Sequence, residues 1–232
     1  IANAAYTLLN RYVLTATLRA DGSSMVGNDH TWGLFPSISG EWNVLKEPFM
    51  HTLKGISTLK LRMGYGQSGN LGGISAYTTM DNVQQTGIVP VNNTPTVTLG
   101  AIRNNNPDLK WETKSTFNIG GEIGLWHNRL MLTAEYYYSK TTDMLYAYDV
   151  PVPPFVYDKL LANIGSMSNQ GFEIGFSIAP IQTRDIDLNI NLNLSFQKNK
   201  LLSLSGQYKG MEMSAAPITA MGSIDGAGQN GC

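Results

Sequence analysis

The stretch DLNINLNLSF, residues 187–196, alternates without interruption. From Ile186 onward every even position is apolar (Leu188, Ile190, Leu192, Leu194, Phe196), and the odd ones are Asp187, Asn189, Asn191, Asn193 and Ser195. Period two marks a β-strand with two unlike faces. Two architectures accept such a strand. In a soluble sandwich the Leu/Ile face is buried and the Asn face is wet. In a membrane barrel the Leu/Ile face meets lipid and the Asn face lines the interior.

Composition alone leaves both open. The chain has 232 residues, room for one sizeable β domain or part of a larger one. Charged residues make up 14%, well below the roughly 25% usual in soluble domains. A net charge of −1 gives no pull toward nucleic acid or anionic lipid. The single cysteine, Cys232, excludes an internal disulfide framework or a Cys-based metal site. No run approaches the 18 apolar residues of a spanning helix, and no start Met or leader precedes Ile1. The ends read as cut, so a piece of a longer chain is expected.

Working outward from residue 187, six more segments alternate: 12–20, 37–44, 58–66, 114–125, 129–138 and 171–178. No amphipathic helix stands out, so the pattern is all-β and antiparallel. The connections run 21–36, 45–57, 67–113, 126–128, 139–170 and 179–185, with a Gly-rich tail after 197. The longest alternate with shorter ones and therefore fall at one end of an up-and-down sheet. Membrane barrels have this asymmetry, with short turns on one side and long loops on the other.

One turn permits a register test. LWHNRL, residues 125–130, predicts a hairpin with His127-Asn128 at its tip, because Asn tolerates the positive φ that such turns need. If Trp126 then faces Arg129, the apolar pairs are Leu125–Leu130, Ile123–Leu132, Gly121–Ala134, Ile119–Tyr136 and Phe117–Tyr138. The polar pairs are Glu122–Thr133, Gly120–Glu135 and Asn118–Tyr137. A slip of one residue scrambles both faces. Aromatics also fall into two bands on the apolar face: Tyr65, Phe117, Tyr136, Tyr138 and Phe196 near the long-loop end, Tyr12 and Trp42 near the other. An aromatic girdle has this form.

Several stretches go further than pattern. RYVLTATLRADGSS, WGLFPSISGEWNV, LKLRMGYGQSGN, NPDLKWET, NRLMLTAEYYYSKTTDML, NIGSMSNQGFEI and LNLSFQKNKLLSLSG occur in this order across residues 11–206. Together they resemble the later barrel region of SusC/RagA-type TonB-dependent transporters of Bacteroidetes outer membranes. The resemblance implies a large single-chain barrel of about 22 strands with a plug, located in the outer membrane. It also implies import of glycans or peptides, energised through TonB, with a SusD-like surface lipoprotein as partner and no cofactor. Residues 1–232 then form one partial barrel domain of about seven strands. They carry no plug, no TonB-box region and no closing strand, and seven strands do not close a barrel of that size.

Signs of covalent chemistry are absent from the sequence. His30, His51 and His127 fall in three different connections with no metal-ligand spacing. Glu122, Glu135 and Glu173 share the polar face, where polar lining accounts for them without a glycosidase pair. No GxSxG element or Cys–His pair occurs. The candidates for ligand contact are aromatics in or beside the long connections: Trp32, Trp111, Tyr146, Tyr148, Phe155 and Tyr157. Aromatic rings stack on the apolar faces of sugars. The competing reading is a secreted or cell-surface β-sandwich carbohydrate-binding module, whose Leu/Ile faces would be internal.

The two faces of residues 187–196 give a first test. In the full-length protein reconstituted into lipid vesicles, Leu192→Arg costs about 2–4 kcal/mol of unfolding free energy if that position faces mid-bilayer. Asn191→Arg is tolerated in a wet interior. Equal damage from both, measured by denaturant titration, contradicts the face assignment.

Overall fold

The computed structural model describes residues 1–50, 52 and 55–214. The readings attached to His51, Cys232 and the tail from 215 onward lie outside the described residues. Twelve strands are present among the rest: β1 (Ala2–Leu8), β2 (Tyr12–Gly22), β3 (Trp32–Asn43), β4 (Ile56–Asn70), β5 (Val83–Val91), β6 (Thr94–Ala101), β7 (Glu112–Leu125), β8 (Leu130–Asp149), β9 (Lys159–Gln182), β10 (Asp187–Ser203), β11 (Ser205–Tyr208) and β12 (Met211–Ser214). Eight form a single antiparallel sheet in the order β1-β2-β3-β4-β7-β8-β9-β10, while β5–β6 and β11–β12 are separate two-stranded sheets. Among the described residues no second sheet covers the large one, so the sandwich arrangement is not found.

The hairpin register is as the sequence predicts. Leu125 pairs with Leu130, Ile123 with Leu132, Gly121 with Ala134, Ile119 with Tyr136 and Phe117 with Tyr138, with Glu122–Thr133 and Gly120–Glu135 on the other face. Arg129 N donates to Trp126 O at 3.2 Å, and Trp126, His127 and Asn128 all take positive φ. The same parity carries across the sheet. Leu194 pairs with Ile174, Ile174 with Ala134, Gly121 with Leu61, Leu61 with Trp42, and Trp42 with Tyr12. One face is thus continuously apolar. It is also uncovered, with Leu61, Met63, Ile119, Leu192 and Leu194 all exposed.

The structure differs from expectation mainly in extent. The sheet has eight strands, not seven, because β1 (ANAAYTL) pairs with β2 although its small residues alternate only weakly. The connection expected over 139–170 is mostly strand: β8 and β9 stay paired to Asp149–Lys159, leaving a loop of 150–158. Alternation fails there for two reasons. The pairing is irregular between Thr141 and Leu145, and both faces of the extension are covered. Leu145 and Leu161 pack under one cluster, Tyr148, Leu160 and Ala162 in another. A strand buried on both sides has no polar face to betray its period. The connection 67–113 contains the β5–β6 hairpin, and the tail after 197 continues as strand to Ser203 before the β11–β12 hairpin. The connection 44–55 lies at the end opposite the long loops and holds two short 3-10 turns, Val44–Lys46 and Pro48–Met50.

Aromatic rows bracket the apolar face. At the long-loop end Phe196 pairs with Phe172, Phe172 with Tyr136, Tyr138 with Phe117, and Phe117 with Tyr65. Past this band the side chains on the same strands turn polar, at Lys198, Lys140 and Gln67. On β3, Trp32 and Trp42 share the apolar face across an uninterrupted register. Their separation is about 34 Å of strand at about 3.4 Å per residue, or about 26 Å along a barrel axis tilted by about 40°, against an apolar band of about 25 Å in membrane barrels.

At the short-turn end one carboxylate fastens the lower band. Glu47 is 7% exposed. It accepts from Tyr12 Oη at 2.6 Å, Trp42 Nε1 at 3.0 Å and Arg11 Nη1 at 2.9 Å. Tyr12 and Trp42 are stacked, with ring centroids 6.2 Å apart. The Tyr12 hydroxyl first, then the Trp42 N–H and the Arg11 guanidinium, hold the Glu47 carboxyl below its ordinary value. A depressed folded pKa contributes stability that is present above the unfolded carboxylate value and lost as pH falls through the folded one. In the detergent-solubilised full-length protein, Glu47→Gln therefore melts earlier than wild type near neutral pH. The gap closes on acidification below the ordinary carboxylate range of about 4.3. A gap independent of pH in thermal melts contradicts this role.

Candidate functional site

The long connections build a cap over the outer end of β8 and β9, organised by the segment Asn104–Glu112. Its polar side chains read backbone. Asn104 uses its whole hydrogen-bonding capacity: Nδ2 donates to Tyr157 O (2.6 Å) and Lys159 O (2.8 Å), and Oδ1 accepts from Val156 N (3.0 Å) and Tyr157 N (3.1 Å). Asn106, 2% exposed, donates to Leu161 O at 2.8 Å and accepts from Asp108 N at 2.9 Å and Tyr208 Oη at 3.0 Å. From β9, Asn163 exchanges bonds with both the N–H and C=O of Lys110. Glu112 accepts from Leu145 N at 3.0 Å and Asn70 Nδ2 at 2.7 Å. An amide can stand in for a missing backbone partner because it offers a donor and an acceptor side by side.

Apolar packing completes the cap. Leu109 is fully buried with Val26 and Ile74, against Met25, Leu71, Leu145 and Leu161. Gly27 N donates to Leu109 O at 2.8 Å, and a Cβ at Gly27 would lie 1.9 Å from Pro107 O. Only glycine permits that approach. On the other side, β11–β12 brings Met213 and Tyr208 against Tyr146, Tyr148, Leu160 and Ala162. Burial pushes the Tyr208 phenol pKa up.

The six candidate aromatics separate into different environments. Trp32 is 71% exposed on the apolar face, in line with Leu34 and Ile38. Trp111 is partly buried, its Nε1 donating to His30 O at 3.1 Å and its ring meeting Phe35 edge-on at 5.7 Å. Tyr148 has no exposed surface, and Tyr146 meets it edge-on at 5.2 Å. Phe155, half-buried against the Tyr148 cluster, and the exposed Tyr157 both lie in the 150–158 loop that Asn104 clamps, and the Tyr157 hydroxyl donates to Ala101 O. A cleft of about 310 Å³ opens there between Phe155, Asn104, Asn105, Tyr208 and Lys209. The asparagines that position it carry no periodic signal. The clue in the sequence is a run of Asn beside Pro inside a long connection.

Below the cap, the polar face of the sheet forms a second recess of about 620 Å³ lined by Ser39, Ser68, Lys114, Asn118, Tyr137 and Glu173 among others. Glu135 lies directly opposite Glu173. Arg62 Nη2 sits 2.7 Å from Glu135 Oε2, and Asn118 donates to its Oε1 at 3.3 Å. These carboxylates line a hydrogen-bonding wall. Such a recess can bind amides or hydroxyls by many weak polar contacts.

Comparison with known proteins is consistent across sequence and structure. A family model described as TonB dependent receptor-like, beta-barrel, matches residues 2–222. The TonB-dependent receptor P26 of Formosa agariphila is 35% identical over 211 residues, covering 87% of this chain and 20% of that protein. The TonB-dependent receptor SusC of Bacteroides thetaiotaomicron is 34% identical over 204 residues, with the same coverage of each. The chain thus spans about a fifth of these curated relatives. Among solved structures, the RagAB peptide importer in its open-open state superposes with a TM-score of 0.78 at 25% identity, over 94% of this chain and 23% of that one. The closed-closed state gives a TM-score of 0.75 at 23% identity.

The cap yields a direct test. Asn106→Leu keeps the volume but strands the Leu161 carbonyl and the Asp108 N–H, a cost of about 1–3 kcal/mol for buried unpaired groups. In the full-length protein, residues 71–111 then become a site of limited proteolysis while the thermal transition of the barrel moves little. Unchanged protease resistance contradicts the clamp.

Proposed function

The chain belongs to the TonB-dependent receptor-like β-barrel family, and from that membership we infer that it forms one sector of the wall and outer vestibule of an outer-membrane transporter for glycans or peptides. The observation that carries this reading is the apolar sheet face, uncovered over eight strands and bracketed on β3 by Trp32 and Trp42. Exposed to water, such a face would aggregate. Facing lipid, it has its natural solvent.

In this reading the polar face lines the interior and the cap faces the outside. Work is done by binding followed by energised uptake, with the wall's side chains offering contacts and no covalent step. A SusD-like surface lipoprotein would seat over the cap, and TonB would act through regions outside this segment. RagAB is a peptide importer, which makes peptides the first ligand class to test and oligosaccharides the second. Of the candidate aromatics, Phe155 and Tyr157 are the ones we assign to ligand contact. Trp32 belongs with the membrane girdle, while Trp111, Tyr146 and Tyr148 support the cap.

The test uses the purified full-length receptor and calorimetry against panels of peptides and oligosaccharides. Phe155→Ala and Tyr157→Ala each weaken binding about tenfold, or about 1.4 kcal/mol, for one panel and not the other, with membrane assembly unaltered. Unchanged affinity for both panels removes this loop from the ligand path.

A further inference from the structure

The apolar face has a gap in it. Gly40 of β3 sits on that face, paired directly with Leu14 on one side and Met63 on the other. A Cβ built at Gly40 meets nothing within 4 Å. Gly121, on the same face, is by contrast filled over by its neighbour, with Leu61 Cδ2 at 3.1 Å from such a Cβ. Gly40 therefore floors an open groove, and its volume is about 590 Å³.

The walls of this groove are Tyr6, Leu8, Leu14 and Met63, with the stacked pair Tyr12 and Trp42 at its lower end. Both aromatics turn their polar atoms away, to Glu47. What they present to the groove is carbon. Apart from the Tyr6 hydroxyl, the side chains that wall the groove offer it only carbon and the Met63 sulfur. Beneath the pair lie Arg11, which spends one guanidinium nitrogen on Glu47, and the exposed Lys46 of the adjoining 3-10 turn.

Depth selects the occupant. Gly40 lies one side-chain row inside Trp42, about 7 Å along the strand, so the groove starts just within the hydrocarbon edge. Cations stand at the level where phosphate groups lie. We propose that this groove seats one acyl chain of an inner-leaflet phospholipid, retained as a bound lipid, with its phosphate at Arg11 and Lys46. The proposal rests on the reading that this face meets lipid.

Gly40 carries no positive φ, so a side chain can be added there without backbone strain and will occupy the space itself. The full-length receptor is extracted in mild detergent, exchanged, and examined by native mass spectrometry, with phosphatidylethanolamine vesicles as the lipid source. Wild type retains one phospholipid through the exchange. Gly40→Trp lowers the retained fraction at least fivefold with heat-modifiability unchanged, and Gly40→Ala lies between. Leu14→Trp, which fills the groove from its wall, gives the same loss and serves if Gly40→Trp does not assemble. Equal retention in wild type and both tryptophan variants, or none in wild type, overturns the groove site. So does a receptor dimer that dissociates in Gly40→Trp, which assigns the groove to a second copy. Wild type recovered outside the outer-membrane fraction overturns the membrane reading itself, a failure distinguishable from that of the groove alone.

Discussion

The constraint on which the structure depends is parity. Side chains alternate between faces with period two, and seven successive strand pairings from β1 to β10 keep the same parity through the apolar band. A single slip anywhere would put Asn and Glu on the apolar side of every strand beyond it. Irregularities fall toward the strand ends: at Ile56/Thr58 and Leu188/Ile190 at the short-turn end, and at Thr141–Leu145 and Leu201/Ser203 above the aromatic rows. Turn chemistry enforces the same discipline. Leu9 and Asn10 close β1–β2 at positive φ, as His127 and Asn128 close β7–β8.

Above the aromatic rows the rules change. There the sheet has a core of its own, with both faces of the β8–β9 extension covered by apolar side chains. It obtains one by folding connections back onto β8 and β9: Leu109 and Val26 on one side, Met213 and Tyr208 on the other. Asn104, Asn106, Asn163 and Glu112 join connections and strands by side-chain-to-backbone bonds without adding another strand to the ladder. The lower end solves a similar problem with a single buried carboxylate. Glu47 satisfies both girdle rings at once, so the polar atoms of Tyr12 and Trp42 need not point into the apolar zone.

What was legible in the sequence follows from which faces are unlike. Residues 117–138 could be read residue by residue, register included, and residues 187–196 by face, because one face is apolar and the other polar. The extension 139–170 could not, because Leu145 and Leu161 are half-buried on the face opposite the buried Tyr148 and Leu160, and the periodic contrast disappears. β1 was missed because Ala2 and Ala4 carry little hydrophobic contrast with Asn3 and Ala5. Of the candidate aromatics, sequence position alone did not distinguish a loop-borne Tyr157 from Trp32, which the regular register of β3 carries onto the apolar face. The asparagines at 104, 106 and 163 were opaque for another reason. A side chain that imitates backbone is recognised only when the backbone it imitates is in place.

The β5–β6 hairpin stands apart from all of this. It forms its own two-stranded sheet and is tied back by Ile102 N to Asn82 O and by Asn82 Nδ2 to Tyr77 O. Its pairing is internal, so neither the parity of the wall nor the core of the cap passes through it. Lengthening or shortening such an appendage costs only the slow logarithm of loop closure, about 0.6 kcal/mol per doubling. Here the molecule can acquire or discard surface by insertion and deletion, while the wall beneath it stays held to the parity of its apolar face.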